Sequence, residues 1–176
     1  MGDERRASVS RSGGPAKATN AARGLSAGDK APDFKLATGD GTTISRANLK
    51  GHPFVIYFYP KDDTSGCTKE AIDFSAALSK FEKLAVTVIG VSKDSLESHE
   101  KFKKKYKLKL ALGSDPDIKI ATVYGVWVEK SMYGRKYMGM ERATFLVDAK
   151  GVITEAWHKV KIPGHVEAVL AAAKAL

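Results

Sequence analysis

The feature that most constrains the fold is a continuous apolar run in "GHPFVIYFYP", from Phe54 to Tyr59. Apolar residues at every position, rather than at every second one, indicate a strand that is covered on both faces. Pro60 follows the run and ends it, because proline has no N–H to donate to a neighbouring strand. The chain must therefore place other elements on both sides of this strand.

The segments that follow alternate between helical and strand patterns. Residues 65–84, "SGCTKEAIDFSAALSKFEKL", carry apolar side chains at spacings of three and four, which predicts a helix. Thr64 or Ser65 is expected to cap that helix. Residues 84–92, "LAVTVIGVS", predict a second buried strand, and Ser95 is expected to cap a helix that runs to about Lys105. Strand, helix, strand and helix in this order are typical of an α/β fold.

The C-terminal half adds two helices and a hairpin. In "GSDPDIKIATVYGV", Asp115 precedes a proline at a helix start and Gly125 lies near the helix end. Residues 143–160 alternate on both sides of a turn at 148–151, which predicts a β-hairpin. The final segment, "PGHVEAVLAAAKAL", predicts a helix whose first position is Pro163. The whole order predicts a central mixed β-sheet with helices on both faces.

Length and composition predict one domain with a tail. The 176 residues suffice for one domain with a sizeable core, which we place at residues 25–176. Residues 1–24 contain almost no large apolar side chains and predict a disordered basic tail. No apolar run approaches the roughly 20 residues that cross a bilayer, so we expect a soluble protein without a membrane partner.

The net charge of +9 raises the question of nucleic acid. Besides the tail, basic residues concentrate in "KFKKKYKLK", residues 101–109, and apolar residues in and directly after this stretch recur at spacing four, at Phe102, Tyr106 and Leu110. That spacing predicts a helix with an apolar face toward the core and its lysines in water, which favours a solvated surface over nucleic-acid binding. The four histidines are scattered along the chain, at His52, His99, His158 and His165. They therefore predict no metal site.

A single cysteine, Cys67, lies in "FYPKDDTSGCTKEA". One thiol excludes an internal disulfide and a four-cysteine metal site, and it fits a reduced cytoplasmic setting. The first turn of a helix carries unpaired N–H groups and partial positive charge, which favour a reactive thiolate. The carboxyl end of a strand is also where reactive groups collect in open α/β sheets. Buried free cysteines, however, usually act as small hydrophobes, so position alone leaves both interpretations open.

The segment "YPKDDTSGCTKE" resembles the active-site loop of the peroxiredoxins, and specifically that of the bacterioferritin comigratory protein or peroxiredoxin Q branch. "GDKAPDFKLATGDG", "YGVWVEKSMYGRKYMG" and "ERATFLVDAKG" resemble further segments of that family, so the similarity spans residues 25–176. Separated motifs in one order make a chance match implausible. The resemblance implies a thioredoxin-like fold and a thiol peroxidase with no metal or organic cofactor.

The resemblance also implies roles for individual residues. Cys67 would be the peroxidatic nucleophile that becomes a sulfenic acid, and Thr64 would offer its hydroxyl to the peroxide or thiolate. Arg142 would stabilise the thiolate and the polarised O–O bond, Pro60 would shield the pocket from water, and Glu70 would orient the guanidinium. Without the resemblance, Thr64 is a helix cap, Pro60 a strand terminator, Glu70 a first-turn acid and Arg142 a surface cation.

The sequence departs from this branch because it lacks a second cysteine. One family position for that cysteine falls at Ile72 and the other near Phe102 and Lys103. An external thiol must therefore reduce the sulfenic acid; thioredoxin, glutaredoxin and glutathione all qualify, and the resemblance to the family favours thioredoxin. We expect an antioxidant enzyme that acts on hydrogen peroxide and organic hydroperoxides, as a monomer or weak homodimer.

Two other functions stay open from the sequence. A redox sensor would pass oxidation from Cys67 to a partner protein without sustained turnover. A nucleic-acid binder would use the basic tail and would bind with strong salt dependence.

Overall fold

The computed structural model describes residues 24–38 and 41–176. The predicted tail, residues 1–24, lies outside the described residues except for Gly24. The helices are α1 Ser65–Lys83, α2 Leu96–Tyr106, α3 Lys119–Val123 and α4 His165–Lys174. The strands are β1 Lys35–Thr38, β2 Thr43–Ser45, β3 Phe54–Phe58, β4 Thr87–Ser92, β5 Ala111–Ser114, β6 Trp127–Met132, β7 Arg135–Met140, β8 Ala143–Val147 and β9 Ile153–Trp157.

One mixed sheet of seven strands forms the centre of the protein, in the order β2-β1-β5-β4-β3-β8-β9. Strand β4 runs parallel to β3 and β5, whereas β8 runs antiparallel to β3 and to β9. Strands β6 and β7 form a separate antiparallel hairpin. All five residues of β3 are buried, as the apolar run predicts. The predicted mixed sheet and the predicted hairpin at 143–160 are confirmed.

A hydrophobic core lies on each face of the sheet. On one face, Val55 and Tyr57 of β3 pack with residues of α1, α2 and α4, and the Tyr57 ring stacks on Phe74 with 4.5 Å between centroids. On the other face, Ile56 and Phe58 pack with residues of α3, β8 and the segment before β1. Since successive β3 side chains point to opposite faces, both layers are needed to bury this strand. Helices on both faces are therefore confirmed.

Helix α2 confirms one local prediction and contradicts another. The Ser95 hydroxyl oxygen accepts a hydrogen bond from the Ser98 N–H at 3.1 Å, so Ser95 caps the helix as predicted. The helix ends at Tyr106 because Lys107 adopts the left-handed conformation, with φ of 55°. Leu110 is buried beyond that end and does not continue the helical face, so this part of the prediction is wrong.

The start of α4 also differs from the prediction. The helix begins at His165, and Gly164 takes the N-cap position with φ of 77°. Pro163 therefore precedes the helix instead of occupying its first position. A left-handed residue suits glycine, and the chain reverses there before it becomes helical.

Helix α3 is shorter than the sequence predicts, but Asp115 does serve its start. The Asp115 carboxylate accepts hydrogen bonds from the N–H groups of Ile120 and Ala121 at 3.2 and 2.9 Å. The sequence patterns did not predict the short strands β1, β2 and β5, nor the β6–β7 hairpin. Among the described residues, no helix is long and apolar enough to cross a membrane, and no cluster of His, Cys, Asp or Glu could hold a metal ion.

Candidate active site

Strand pairing brings the start of β8 to the loop that carries Cys67. Phe58, the last residue of β3, pairs with Ala143, the first residue of β8. The chain leaves β3 through a short loop into α1, whose third residue is Cys67. Arg142 immediately precedes β8, and its Nη2 lies 3.4 Å from the Cys67 Sγ. Arg142 thus contacts a thiol 75 residues away in the chain. The antiparallel pairing of β3 with β8 causes this contact, because it places the residue before β8 beside the loop that follows β3.

Glu70 holds the other arm of the guanidinium. Arg142 Nη1 donates to Glu70 Oε1 at 2.7 Å, and the Glu70 side chain is completely buried. Glu70 follows Cys67 by three residues, so both side chains lie on one face of α1. The planar guanidinium therefore bridges the carboxylate and the sulfur, which fixes its orientation.

Burial changes the proton affinity of Glu70. It raises the pKa of Glu70 from 4.5 to about 7, although the charge and hydrogen bond of Arg142 act in the opposite direction. Oε2 of Glu70 has no hydrogen-bond partner in the described part of the chain, which leaves the carboxyl half satisfied. For Arg142, burial alone would lower the pKa, but the negative charges of Cys67 and Glu70 outweigh burial and raise it.

Gly66 provides the space in which the guanidinium approaches the helix. A Cβ atom at Gly66 would lie 3.2 Å from both Arg142 Nη2 and Ile162 Cδ1. The φ angle of Gly66 is not positive, so the backbone conformation does not require glycine here. The missing side chain lets Arg142 and Ile162 close over the first turn of α1, beside Cys67.

Thr64 occupies the N-cap position of α1 but does not cap it, so this capping prediction is wrong for Thr64. Its hydroxyl donates to the Lys61 carbonyl at 3.0 Å, and the N-cap side chain accepts no hydrogen bond from the first turn. The N–H groups of that turn are therefore left for another acceptor. Because the Thr64 proton is already donated, the oxygen lone pairs can still accept a hydrogen bond from a ligand. Pro60 is partly buried just after β3.

A buried polar network fixes the loop between β3 and α1. Asp62 accepts hydrogen bonds from the Tyr59 hydroxyl at 2.6 Å and the Ser98 hydroxyl at 2.7 Å, and its Oδ2 lies 2.8 Å from His99 Nδ1. Burial would raise the pKa of Asp62, but these hydrogen bonds outweigh burial and lower it. The loop is thereby tied to α2. Sequence reasoning missed this network, since Asp62 and His99 carried no motif of their own.

Two further buried polar groups near the site had no sequence signal. Tyr57 is buried beneath α1, and its hydroxyl has no partner among the described residues. Burial raises the pKa of Tyr57 well above its usual value, and the charges of Glu70 and Cys67 add to that effect. His165 Nε2 lies 2.8 Å from the Thr144 hydroxyl, and burial lowers its pKa to about 4.

A thiol in the first turn of a helix, with a partly buried cation held against it, is an arrangement typical of thiol-based redox sites. Comparison with known proteins identifies the family of the chain. Residues 27–156 match the model of the AhpC/TSA family, and the chain belongs to that family.

Its relatives within the family are peroxiredoxins. A putative peroxiredoxin bcp of Coxiella burnetii is 49% identical over 146 residues, which cover 83% of this chain and 97% of the relative. Peroxiredoxin Bcp of Bacillus subtilis is 46% identical over 143 residues, 81% of this chain and 91% of the relative. The structure of Xanthomonas campestris peroxiredoxin Q has a TM-score of 0.78 at 45% identity and covers 81% of this chain and 90% of its own. The predicted branch and its thioredoxin-like fold are confirmed.

The X. campestris protein has been solved with serine in place of either of two cysteines. The present chain has only Cys67. Ile72, at one family position for the second cysteine, is 40% exposed, and Phe102, near the other, is buried. A disulfide within the chain is therefore impossible.

Proposed function

We propose that this chain is a one-cysteine thiol-dependent peroxidase in which Cys67 reduces hydrogen peroxide and organic hydroperoxides. The observation that carries the proposal is the 3.4 Å contact between Arg142 Nη2 and Cys67 Sγ at the first turn of α1. A buried sulfur that served only packing would have no need of a partly buried cation in contact with it. Structures of the bacterioferritin comigratory protein of X. campestris are described in connection with its alkyl peroxide reduction activity, which supports the substrate class.

The first half of the reaction needs only groups of this chain. The Cys67 thiolate attacks the terminal peroxide oxygen, a sulfur–oxygen bond forms, and the O–O bond breaks. The departing oxygen takes a proton and leaves as water or alcohol, while Cys67 becomes a sulfenic acid. Arg142 and the free N–H groups of α1 stabilise the negative charge on sulfur and on the departing oxygen.

The remaining site residues have supporting roles in this proposal. The Thr64 oxygen accepts a hydrogen bond from the peroxide O–H and aligns it with the sulfur. Glu70 holds the Arg142 guanidinium in place, and Pro60 shields the pocket from water. Alignment of the reacting atoms and water exclusion both lower the barrier without any cofactor.

The second half of the reaction is assigned to another molecule. An external thiol attacks the sulfenic acid and forms a mixed disulfide, and a second thiol releases Cys67. Thioredoxin, glutaredoxin and glutathione all fit that chemistry. In a cytoplasmic setting, which stays a prediction from the single cysteine, the result is antioxidant defence.

Peroxide consumption with an excess of dithiothreitol tests the function. Wild-type protein should turn over many times, whereas Cys67→Ser should consume no peroxide above the buffer rate. Consumption by the Cys67→Ser variant would refute the proposal. A single rapid oxidation of the wild type, without recycling by dithiothreitol, thioredoxin, glutaredoxin or glutathione, would favour the redox sensor.

We also propose that residues 25–176 are the catalytic domain and that the tail is not required for peroxide reduction. A variant that lacks residues 1–24 should keep the wild-type rate of peroxide consumption. A loss of most activity in that variant, with its fold retained by circular dichroism, would contradict the division. Salt-sensitive binding of DNA that disappears with the tail would instead support the nucleic-acid hypothesis.

A further inference from the structure

The β6–β7 hairpin carries a cation that the proposed first half of the reaction does not use. Lys130 is partly buried in the middle of β6, although Glu129 and Ser131 on either side are exposed. Lys130 pairs with Tyr137 across the hairpin, and a Cβ atom at Gly139 would lie 3.1 Å from Lys130 Cδ. The lysine side chain therefore lies across β7 at the only position of that strand without a side chain.

This position directs the Lys130 side chain toward the end of β7, the strand that leads into Arg142. Gly139 is followed by the last residue of β7, and Arg142 lies two residues further along. The ammonium group makes no ion pair or hydrogen bond with any residue in the described part of the chain. Burial lowers the pKa of Lys130, and the charge of Arg142 lowers it further, while Glu141 and Cys67 act in the opposite direction. Lys130 is thus within electrostatic reach of the reactive sulfur.

A partly buried cation without an ionic partner has lost part of its hydration, which is unfavourable. Binding of an anionic group would compensate for that lost hydration. The other cation of the site, Arg142, is already occupied by Glu70 and the sulfur. Hydrogen peroxide carries no anionic group that could use a second cation. The molecule that must approach next is the external thiol, because the chain has no second cysteine.

We infer that Lys130 binds the carboxylate of a small thiol that attacks oxidised Cys67, so that anionic low-molecular-weight thiols are favoured reductants. This inference rests on the proposed peroxidase function. A small thiol also fits the closure of the site, since Cys67 is 1% exposed and Arg142 and Ile162 close over the start of α1.

The step balances with the thiol as the reductant. The thiolate attacks the Cys67 sulfur, an S–S bond forms, and the S–O bond breaks; the departing hydroxide takes a proton and becomes water. A second thiolate then attacks the sulfur of the bound small thiol, and Cys67 leaves as a thiolate. Two thiols are oxidised to one disulfide, and the sulfenic acid is reduced to the starting thiol.

The test compares 3-mercaptopropionate with 3-mercaptopropionamide, which differ in one carboxylate. The full chain is oxidised with one equivalent of hydrogen peroxide and mixed with either thiol. Samples are quenched with acid at successive times, and intact-protein mass spectrometry measures the fraction present as the mixed disulfide. Each rate is divided by the concentration of thiolate, so that the different pKa values of the two thiols do not affect the comparison. Wild type should favour the carboxylate by about fivefold, the upper end for a partly exposed ion pair, and added salt should reduce that ratio.

Variants then assign the preference to Lys130. Lys130→Gln should bring the ratio of the two rates close to one, and Lys130→Arg should restore the preference. Lys136→Gln is the matched control, because it removes one positive charge from the opposite face of the same hairpin, where Lys136 Nζ lies 3.6 Å from Glu129 Oε2. That control should keep the wild-type ratio. A ratio between two thiols is unaffected by a uniform change in the reactivity of Cys67, and circular dichroism of each variant checks that the fold is retained.

Several outcomes would overturn the inference. These are equal rates for both thiols in wild type, a preference that survives Lys130→Gln, or a preference that Lys136→Gln also abolishes. A charge preference that appears only in the oxidation step, between a carboxylate-bearing and a neutral hydroperoxide, would assign Lys130 to the peroxide and contradict the inference as well. Failure of the proposed function itself is distinguishable, because Cys67 would then not be oxidised by the first equivalent of peroxide.

Discussion

Glu70 makes the stability of the protein depend on pH in a direction that is unusual for a carboxylate. Burial raises its pKa from 4.5 to about 7, despite the hydrogen bond from Arg142. Between these two pH values the folded protein keeps a proton that the unfolded chain releases. The folded state therefore binds more protons, and the free energy of unfolding falls as the pH rises through this range.

The magnitude follows from the two pKa values. A rise from 4.5 to about 7 corresponds to about 3 kcal/mol, at about 1.4 kcal/mol for each pH unit. His165 acts oppositely in acid, because burial lowers its pKa to about 4 and stability is lost as the pH falls below 6.5. The wild-type curve alone therefore hides the contribution of Glu70, and a difference between variants is needed.

The assay is urea unfolding under reducing conditions at about pH 4.5 and about pH 8, for wild type and Glu70→Gln. Relative to wild type, the variant should gain about 3 kcal/mol of stability between the two pH values, because glutamine never ionises. Glu82→Gln is the matched control, since Glu82 lies on the same helix and is exposed. Its difference from wild type should stay within about 0.5 kcal/mol at both pH values.

A stability difference between Glu70→Gln and wild type that is the same at both pH values would refute this reasoning. It would mean that Glu70 keeps its ordinary pKa in the folded protein. In that case Glu70 would be a fully ionised partner of Arg142 throughout the neutral range.

Three further predictions concern the same region. Arg142→Gln should slow the oxidation of Cys67 by hydrogen peroxide about 10- to 150-fold in single-turnover mixing, which corresponds to a charge-assisted contact of about 1.5–3 kcal/mol; an unchanged rate would exclude Arg142 from the reaction. Gly66→Ala should also slow this oxidation, because its Cβ atom would lie 3.2 Å from Arg142 Nη2 and Ile162 Cδ1; a wild-type rate would show that the guanidinium does not need this space. His165→Gln should remove a loss of about 3 kcal/mol as the pH falls from 6.5 to about 4, measured by urea unfolding; an acid-dependent loss that matches wild type would contradict the assignment to His165.

Local sequence patterns were sufficient for the elements that carry the site. The apolar run of β3 and the helical spacing of α1 each extend over enough residues to define their periodicity, so Cys67 could be placed in the first turn of α1. Strands β1, β2 and β5 contain only three or four residues, which is too few for a pattern to emerge.

The geometry around Cys67 could not be predicted from local sequence patterns. Arg142 contacts the sulfur because Phe58 pairs with Ala143, and a register between distant strands is a property of the whole sheet. The family resemblance named Arg142 and Glu70, but it contained no information on the space at Gly66. Buried groups without a motif, such as the Asp62 network, could be recognised only from the packing.

The activation of Cys67 by the fold is tested most directly by the rate at which hydrogen peroxide oxidises this residue. That rate is measured in the native chain and in the same chain unfolded in urea at equal pH. Cys67 is 1% exposed in the folded protein, so burial alone would make the native thiol react more slowly than the unfolded one. If Arg142 and the first turn of α1 activate the sulfur, the native thiol should react faster, by orders of magnitude. A native rate equal to or below the unfolded rate would show that Cys67 is an inert core residue and would contradict the proposed function.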